Sequence, residues 1–212
     1  MRIIKAYIFI IGLFIGYFLN LVIDNMSDEK STIRKHVIID FINAVLYLAV
    51  YYVYGLSYYT IKYCIFVSIM FVIAVIDIKT KYVYLKVSAF SMILALILDL
   101  YEWFILKEQL QKYILGAVLA FGIFFCIVKV TKSMGEGDIE AAVICGLFLG
   151  GRYTLLAIIL SFIIGGSCGI FLMTLRNKSK KYEIAFTPYI ALGSYMAIFV
   201  GEFLINWYLK CY

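Results

Sequence analysis

The chain has 212 residues, 65% of them hydrophobic and only 15% charged, with a mean hydropathy of +1.00 and a formal net charge of +6. Ordinary soluble chains are about half apolar, so this composition leaves no room for a sizeable soluble domain. The apolar runs last about twenty residues rather than alternating over ten, which argues for membrane-spanning helices and against a β-barrel. The expectation is an all-α, polytopic membrane protein in a lipid bilayer, a single domain over residues 1–212 with about eight transmembrane helices. Its lysines and arginines sit mostly in short loops and read as topology determinants, not as a nucleic-acid surface.

The first span is expected over about 3–23, as a retained membrane helix with no small-residue cleavage site behind it. Gly12 and Gly16 form a G-x-x-x-G pair suited to close helix approach, and Asn20 either bonds a neighbouring helix or lines a site. A short polar loop, 24–36, follows and carries His36, the lone histidine. The second span, about 37–54, opens with Asp40 and Asn43 on one helical face. Asp40 either caps or solvates the helix start, or faces a polar cavity. Gly55-Leu56-Ser57 is a turn, and the third span, about 58–76, ends at Asp77 and the basic stretch Ile78-Lys79-Thr80-Lys81. The fourth span, about 84–106, holds Asp99 and Glu102 near its end.

The fifth span, about 113–130, leads to Met134-Gly135-Glu136-Gly137-Asp138, two glycines around one acid with a second acid after them. An ionisable side chain at membrane depth is costly, about 2.5–3.5 kcal/mol for Asp at a helix centre, so Asp138 invites a functional explanation. A sixth span over about 139–149 is short, about 16 Å of helix, and ends at Gly150-Gly151-Arg152. A seventh runs over about 153–175. Phe186-Thr187-Pro188-Tyr189 opens the eighth, which reaches about residue 209, and Pro188 falls in a first turn where its missing N–H costs nothing. The five cysteines form no C-x-x-C pair and read as apolar packing residues, with no metal site.

Eight spans place both termini on one side. Twelve of the 19 lysines and arginines then fall on the side that carries Asp77 and Asp138, and seven, Lys62 among them, on the other. The positive-inside rule makes the first side cytoplasmic. Two carboxylates in one site share a proton, leaving one general base to activate water and one acid to protonate a leaving amine. The residues alone leave other readings open. Asp138 could be the N-cap of the sixth helix, Asp77 a solvated residue paired with Lys79 or Lys81, and the whole a transporter or channel with an acidic ring.

The motifs carry a resemblance as well. Gly135-Glu136-Gly137-Asp138 resembles the G-x-G-D signature of the type IV prepilin peptidases, membrane-embedded aspartic proteases. In chain order, Gly16-Tyr17-Phe18-Leu19-Asn20-Leu21-Val22-Ile23, Asp77 with its basic loop, and Phe186-Thr187-Pro188-Tyr189-Ile190-Ala191-Leu192-Gly193 resemble further segments of that family, and Asp40 with Gly55-Leu56-Ser57 falls where it has similar residues. The resemblance implies Asp77 and Asp138 as the catalytic pair, with Gly135, Glu136, Gly137, Lys79 and Pro188 as substrate-binding or backbone-supporting residues. Asn20 and Asp40 would line a polar or methyltransferase cavity. It implies prepilin or pilin-like substrates of pilus or secretion systems, cut at the cytoplasmic face of the bacterial inner membrane. It also implies S-adenosylmethionine as cofactor if the N-methyltransferase activity of many members is retained. The alternative is a non-proteolytic transporter or an assembly scaffold of the same fold. Two departures stand out. The family's two C-x-x-C pairs in the first cytoplasmic loop are missing from 24–36, which puts methylation in doubt. Val83-Tyr84 stands where Ile-Pro is usual, and Glu136 is expected to point into water.

Overall fold

The structure, a computed structural model, describes residues 2–27, 33–131, 134–176 and 185–210. Its elements are α1 (Arg2–Met26), α2 (Ile33–Tyr54), α3 (Tyr58–Thr80), α4 (Leu85–Tyr101) with a π-helical turn over Glu102–Leu106, α5 (Gln111–Thr131), α6 (Glu136–Arg176) and α7 (Thr187–Lys210). Seven of these helices are long and apolar enough to cross a membrane. The fold is that of an all-α polytopic membrane protein. Large apolar side chains such as Phe14, Phe90, Val118, Phe121 and Phe203 are exposed, an outer surface that suits lipid and that a soluble monomer rarely shows.

The chain divides into two compact units, Met1–Lys81 and Tyr82–Tyr212. In the first, α1 and α2 cross antiparallel where the sequence offers no side chain. A Cβ on Gly12 would lie 2.6 Å from the Ala44 Cα, and one on Gly16 would lie 2.6 Å from the Asp40 Cα. The backbones therefore meet closely, as small-residue spacing allows. Asn43 is fully buried between three helices. Its Nδ2 donates to the Gly12 carbonyl at 2.9 Å, and its Oδ1 accepts from Ser68 Oγ of α3 at 2.9 Å. Such interhelical bonds contribute about 0.6 kcal/mol each in lipid. Gly55 turns the chain at φ 62°, and Ser57 caps α3 by accepting from the Thr60 N–H.

In the second unit, the expected sixth and seventh spans form one element, α6, with a break at Gly150 (φ 74°, ψ 165°). Straight, its 41 residues would reach about 60 Å, twice a bilayer core. They do not run straight. Thr187 bonds Asp138, while its neighbour Phe186 packs on Gly165. Residues 138 and 165 would be about 40 Å apart on one straight helix. The chain therefore folds back at Gly150 into a hairpin with a short limb, 136–149, and a long limb, 151–176. Close contact of Gly116 with Gly146, Gly150 and Gly151 seats α5 against the bend. Only a glycine holds that backbone conformation without strain.

Helix ends depart from the expected spans in a consistent direction. α1 continues to Met26 and α2 starts at Ile33, so most of the expected loop 24–36 is helical at its edges, and 28–32 lie outside the described residues. Most of the basic stretch before α7 is likewise outside them. Lys62, counted with the loops of the lysine-poor side, lies inside α3 and is fully buried. The cysteines divide: Cys64 and Cys145 are buried, Cys168 is half-buried, and Cys126 is exposed on α5.

Candidate active site

Asp138 sits where the sequence breaks its apolar pattern. Gly135 ends the turn, α6 begins at Glu136, and the Asp138 N–H donates to the Gly135 carbonyl at 3.2 Å. Asp138 is therefore within the first helical turn rather than at the N-cap. The partial positive charge of a helix N-terminus favours an anion there. Its side chain is only 7% exposed, whereas Gly135 and Glu136 face outward, Glu136 as the sequence suggests. The Oδ1 of Asp138 accepts a hydrogen bond from the Thr187 hydroxyl at 3.0 Å.

Thr187 opens α7 and is fully buried. Three features of the sequence put it there. Pro188 follows, and its missing N–H is tolerated only in the first turn of a helix, which places the start of α7 at this point. Tyr189 and Ile190 both donate to the Phe186 carbonyl, closing the first turn. The Phe186 ring is held among Phe162, Phe124 and Tyr189 at 5.1, 6.2 and 5.8 Å between centroids. Pro188 lies in the first turn of α7. Thr187 was not singled out by the sequence reading. Its one signal was a hydroxyl residue between an aromatic anchor and a helix-opening proline.

The glycines of the motif do different things. A Cβ on Gly137 would lie 2.6 Å from the Val83 Cβ and 2.7 Å from its Cγ2, so Gly137 is occupied by the segment leading into α4. Gly135 has only the Gly137 nitrogen, 4.0 Å away, near an added Cβ. Among the described residues, an added side chain is therefore accommodated at Gly135 and excluded at Gly137.

In the first unit, Asp77 occupies the last turn of α3 and is 6% exposed. Its carbonyl accepts from the Lys81 N–H at 2.8 Å, and Lys81 ends the helix in a left-handed conformation (φ 54°). Asp77 is thus buried, not the solvated helix-end residue that the residue pattern also allowed. Lys79 reaches back to α1, with Nζ 3.2 Å from Ser27 Oγ and 3.9 Å from Asp24 Oδ1. Asp24 also pairs with His36 at 2.9 Å, so these residues brace the ends of α1, α2 and α3. Asn20 donates to Asp40 Oδ1 at 2.6 Å and to the His36 carbonyl at 3.1 Å. Asp40 does not start α2. It lies two turns inside, over Gly16, because the helix extends outward past the apolar run.

A second buried polar group involves two acids that the sequence shows but gives no role. Asp99 and Glu102, near the end of α4, are 1% and 0% exposed. Tyr113 donates its hydroxyl to Glu102, and Lys112 lies 4.0 Å from the same carboxylate oxygen. Acids inside an apolar run were the available signal.

Residues 64–170, half of the chain and including the buried Asp77 and Asp138, match the type IV leader peptidase family. A prepilin leader peptidase/N-methyltransferase of Legionella pneumophila is 31% identical over 97 residues, covering 44% of this chain and 34% of that protein. The protein of the same description from Bacillus subtilis is 27% identical over 176 residues, 81% of this chain and 68% of its own length. The one from Pseudomonas aeruginosa is 28% identical over 107 residues, 50% and 37%. The match thus spans about a third of the Legionella and Pseudomonas proteins and about two thirds of the Bacillus one. No solved structure matches significantly. With the G-x-G-D turn, the buried aspartates and the matched segment together, the chain belongs to the type IV leader peptidase family.

Proposed function

We propose that this chain is a membrane aspartic endopeptidase that removes the short basic leader from type IV prepilins or pilin-like proteins, with Asp77 and Asp138 as its acid–base pair. The observation that carries the reading is Asp138: a buried carboxylate in the first turn of α6, behind a glycine turn, inside the segment that matches the family. Asp77, a second buried carboxylate within that segment, supports it. One carboxylate takes a proton from water as the water oxygen attacks the scissile carbonyl carbon. The other, as carboxylic acid, gives its proton to the leaving nitrogen as the C–N bond breaks. The products are a new carboxyl end and a new amine end, and the scheme needs no metal ion. Gly135 admits the peptide backbone. Gly137, Lys79 and Pro188 support the local backbone rather than touch substrate.

Cleavage takes place at the cytoplasmic face of the bacterial inner membrane. The bias of lysines and arginines supports this side. For methylation, Asn20 and Asp40 are the residues to test against S-adenosylmethionine. They bond each other, and Asp40 packs over Gly16; no step of the cleavage is assigned to that cofactor.

The test is Asp77→Asn and Asp138→Asn, each co-expressed with a prepilin. Both should leave the precursor uncut while the enzyme accumulates in the membrane. Full processing by either, with altered transport or assembly instead, would favour the transporter or scaffold.

A further inference from the structure

We infer that Thr187 is a positioning residue for Asp138, holding its carboxylate in one orientation for proton exchange during cleavage; this rests on the reading of Asp138 as catalytic. Other helix-borne hydroxyls near this region bond their own helix. Thr154 donates to the Gly150 carbonyl, Ser161 to Ala157 and Ser167 to Ile163, each four residues back. Thr187 has no helical turn before it, because α7 begins there. Its hydroxyl instead crosses to α6 and donates to Asp138 Oδ1, 49 residues away in sequence.

The geometry is held from two sides. Thr187 is β-branched, so its χ1 is stiff, and the following Pro188 restricts its backbone. The Phe186 ring, packed among Phe124, Phe162 and Gly165, fixes the residue before it. The site is dry at Thr187, which is fully buried. The bond to Oδ1 therefore holds the Asp138 carboxylate in one orientation while it takes a proton from water or gives one to the leaving nitrogen. The threonine proton stays on its own oxygen, so Thr187 orients the carboxylate and exchanges nothing.

The test uses the full-length enzyme in detergent with a purified type IV prepilin as substrate. Thr187→Val keeps the shape and removes the donor. A hydrogen bond to a charged group is the kind lost, so kcat should fall about tenfold to a hundredfold with KM within about twofold of wild type. Thr187→Ser restores the donor and should recover kcat to within a few-fold. If Thr187→Val fails to accumulate, Thr187→Ala decides in its place. Wild-type kcat in the variant lacking the hydroxyl, a loss confined to KM, or equal losses in the Ser and Val variants would overturn the proposal. Asp138→Asn, assayed alongside, separates the two claims. If it cleaves, the catalytic reading of Asp138 fails. If it is dead while Thr187→Val is fully active, the positioning role alone falls.

Discussion

Gly137→Ala offers the sharpest structural prediction. The added Cβ would stand 2.6 Å from the Val83 Cβ and 2.7 Å from Val83 Cγ2, against 3.5 Å from the Val83 nitrogen. Carbon atoms in contact prefer about 3.5–4.0 Å, so the segment before α4 or the start of α6 must move by about 1 Å. Overpacking of this kind costs about 1–3 kcal/mol, or about 2–12 °C in melting temperature for a chain of this length. Because Asp138 is the next residue, cleavage should fall along with stability. The cause is a single contact, so a partner substitution should reverse it in a graded way. Val83→Ala removes Cγ2 but keeps Cβ, and should rescue in part. Val83→Gly removes both clashing atoms and should rescue most of the loss. The assay is thermal unfolding in detergent of the singles and doubles, read as a double-mutant cycle with an expected coupling of roughly 1–2 kcal/mol. If the Gly137→Ala/Val83→Gly double is destabilised by the sum of the singles, Gly137 is not held by Val83 and the assigned packing role is wrong.

Three other outcomes are expected. Gly150→Ala meets no hard contact, its nearest neighbour being the Lys112 carbonyl oxygen at 3.4 Å. It should nonetheless lower stability by about 1–3 kcal/mol through backbone strain at φ 74°; a neutral result in thermal unfolding would argue against the fold-back there. Gly16→Val drives a side chain into the Asp40 backbone and should loosen α1 from α2, seen as faster proteolysis of the amino-terminal helices, whereas Gly166→Ala, with nothing within 4 Å, should be silent. Mass spectrometry of a pilin matured by this enzyme should show an unmodified amino terminus, consistent with the missing cysteine pairs; an added methyl group would contradict it.

Much of the arrangement was legible in the sequence, for identifiable reasons. Gly12 and Gly16 announced a close crossing because only small residues permit one in lipid, and both sit on the backbone of α2. Gly150-Gly151 announced a break because the apolar run before it was too short to span. Pro188 marked a helix start because it can sit nowhere else in a helix without cost. Other features depended on tertiary partners. Asp40 reads either as a helix-start residue, because the apolar run begins nearby, or as a polar-cavity residue; α2 begins at Ile33, two turns earlier, since polar residues at a membrane edge continue a helix readily. Lys62 read as a loop charge although it is buried inside α3; long apolar runs hide which face a residue occupies. Thr187 was inside a recognised motif, but its hydrogen bond is to a residue 49 positions away, and nothing local reports it. The roles of Gly135 and Gly137 were indistinguishable until Val83 was seen against one of them.

The most direct measurement is leader removal from a type IV prepilin co-expressed with the wild-type enzyme, with Asp77→Asn, and with Asp138→Asn, with enzyme levels in the membrane matched. Wild type should yield the shortened pilin, and each variant should leave the precursor intact. Complete processing by either variant would contradict an acid–base pair made of Asp77 and Asp138.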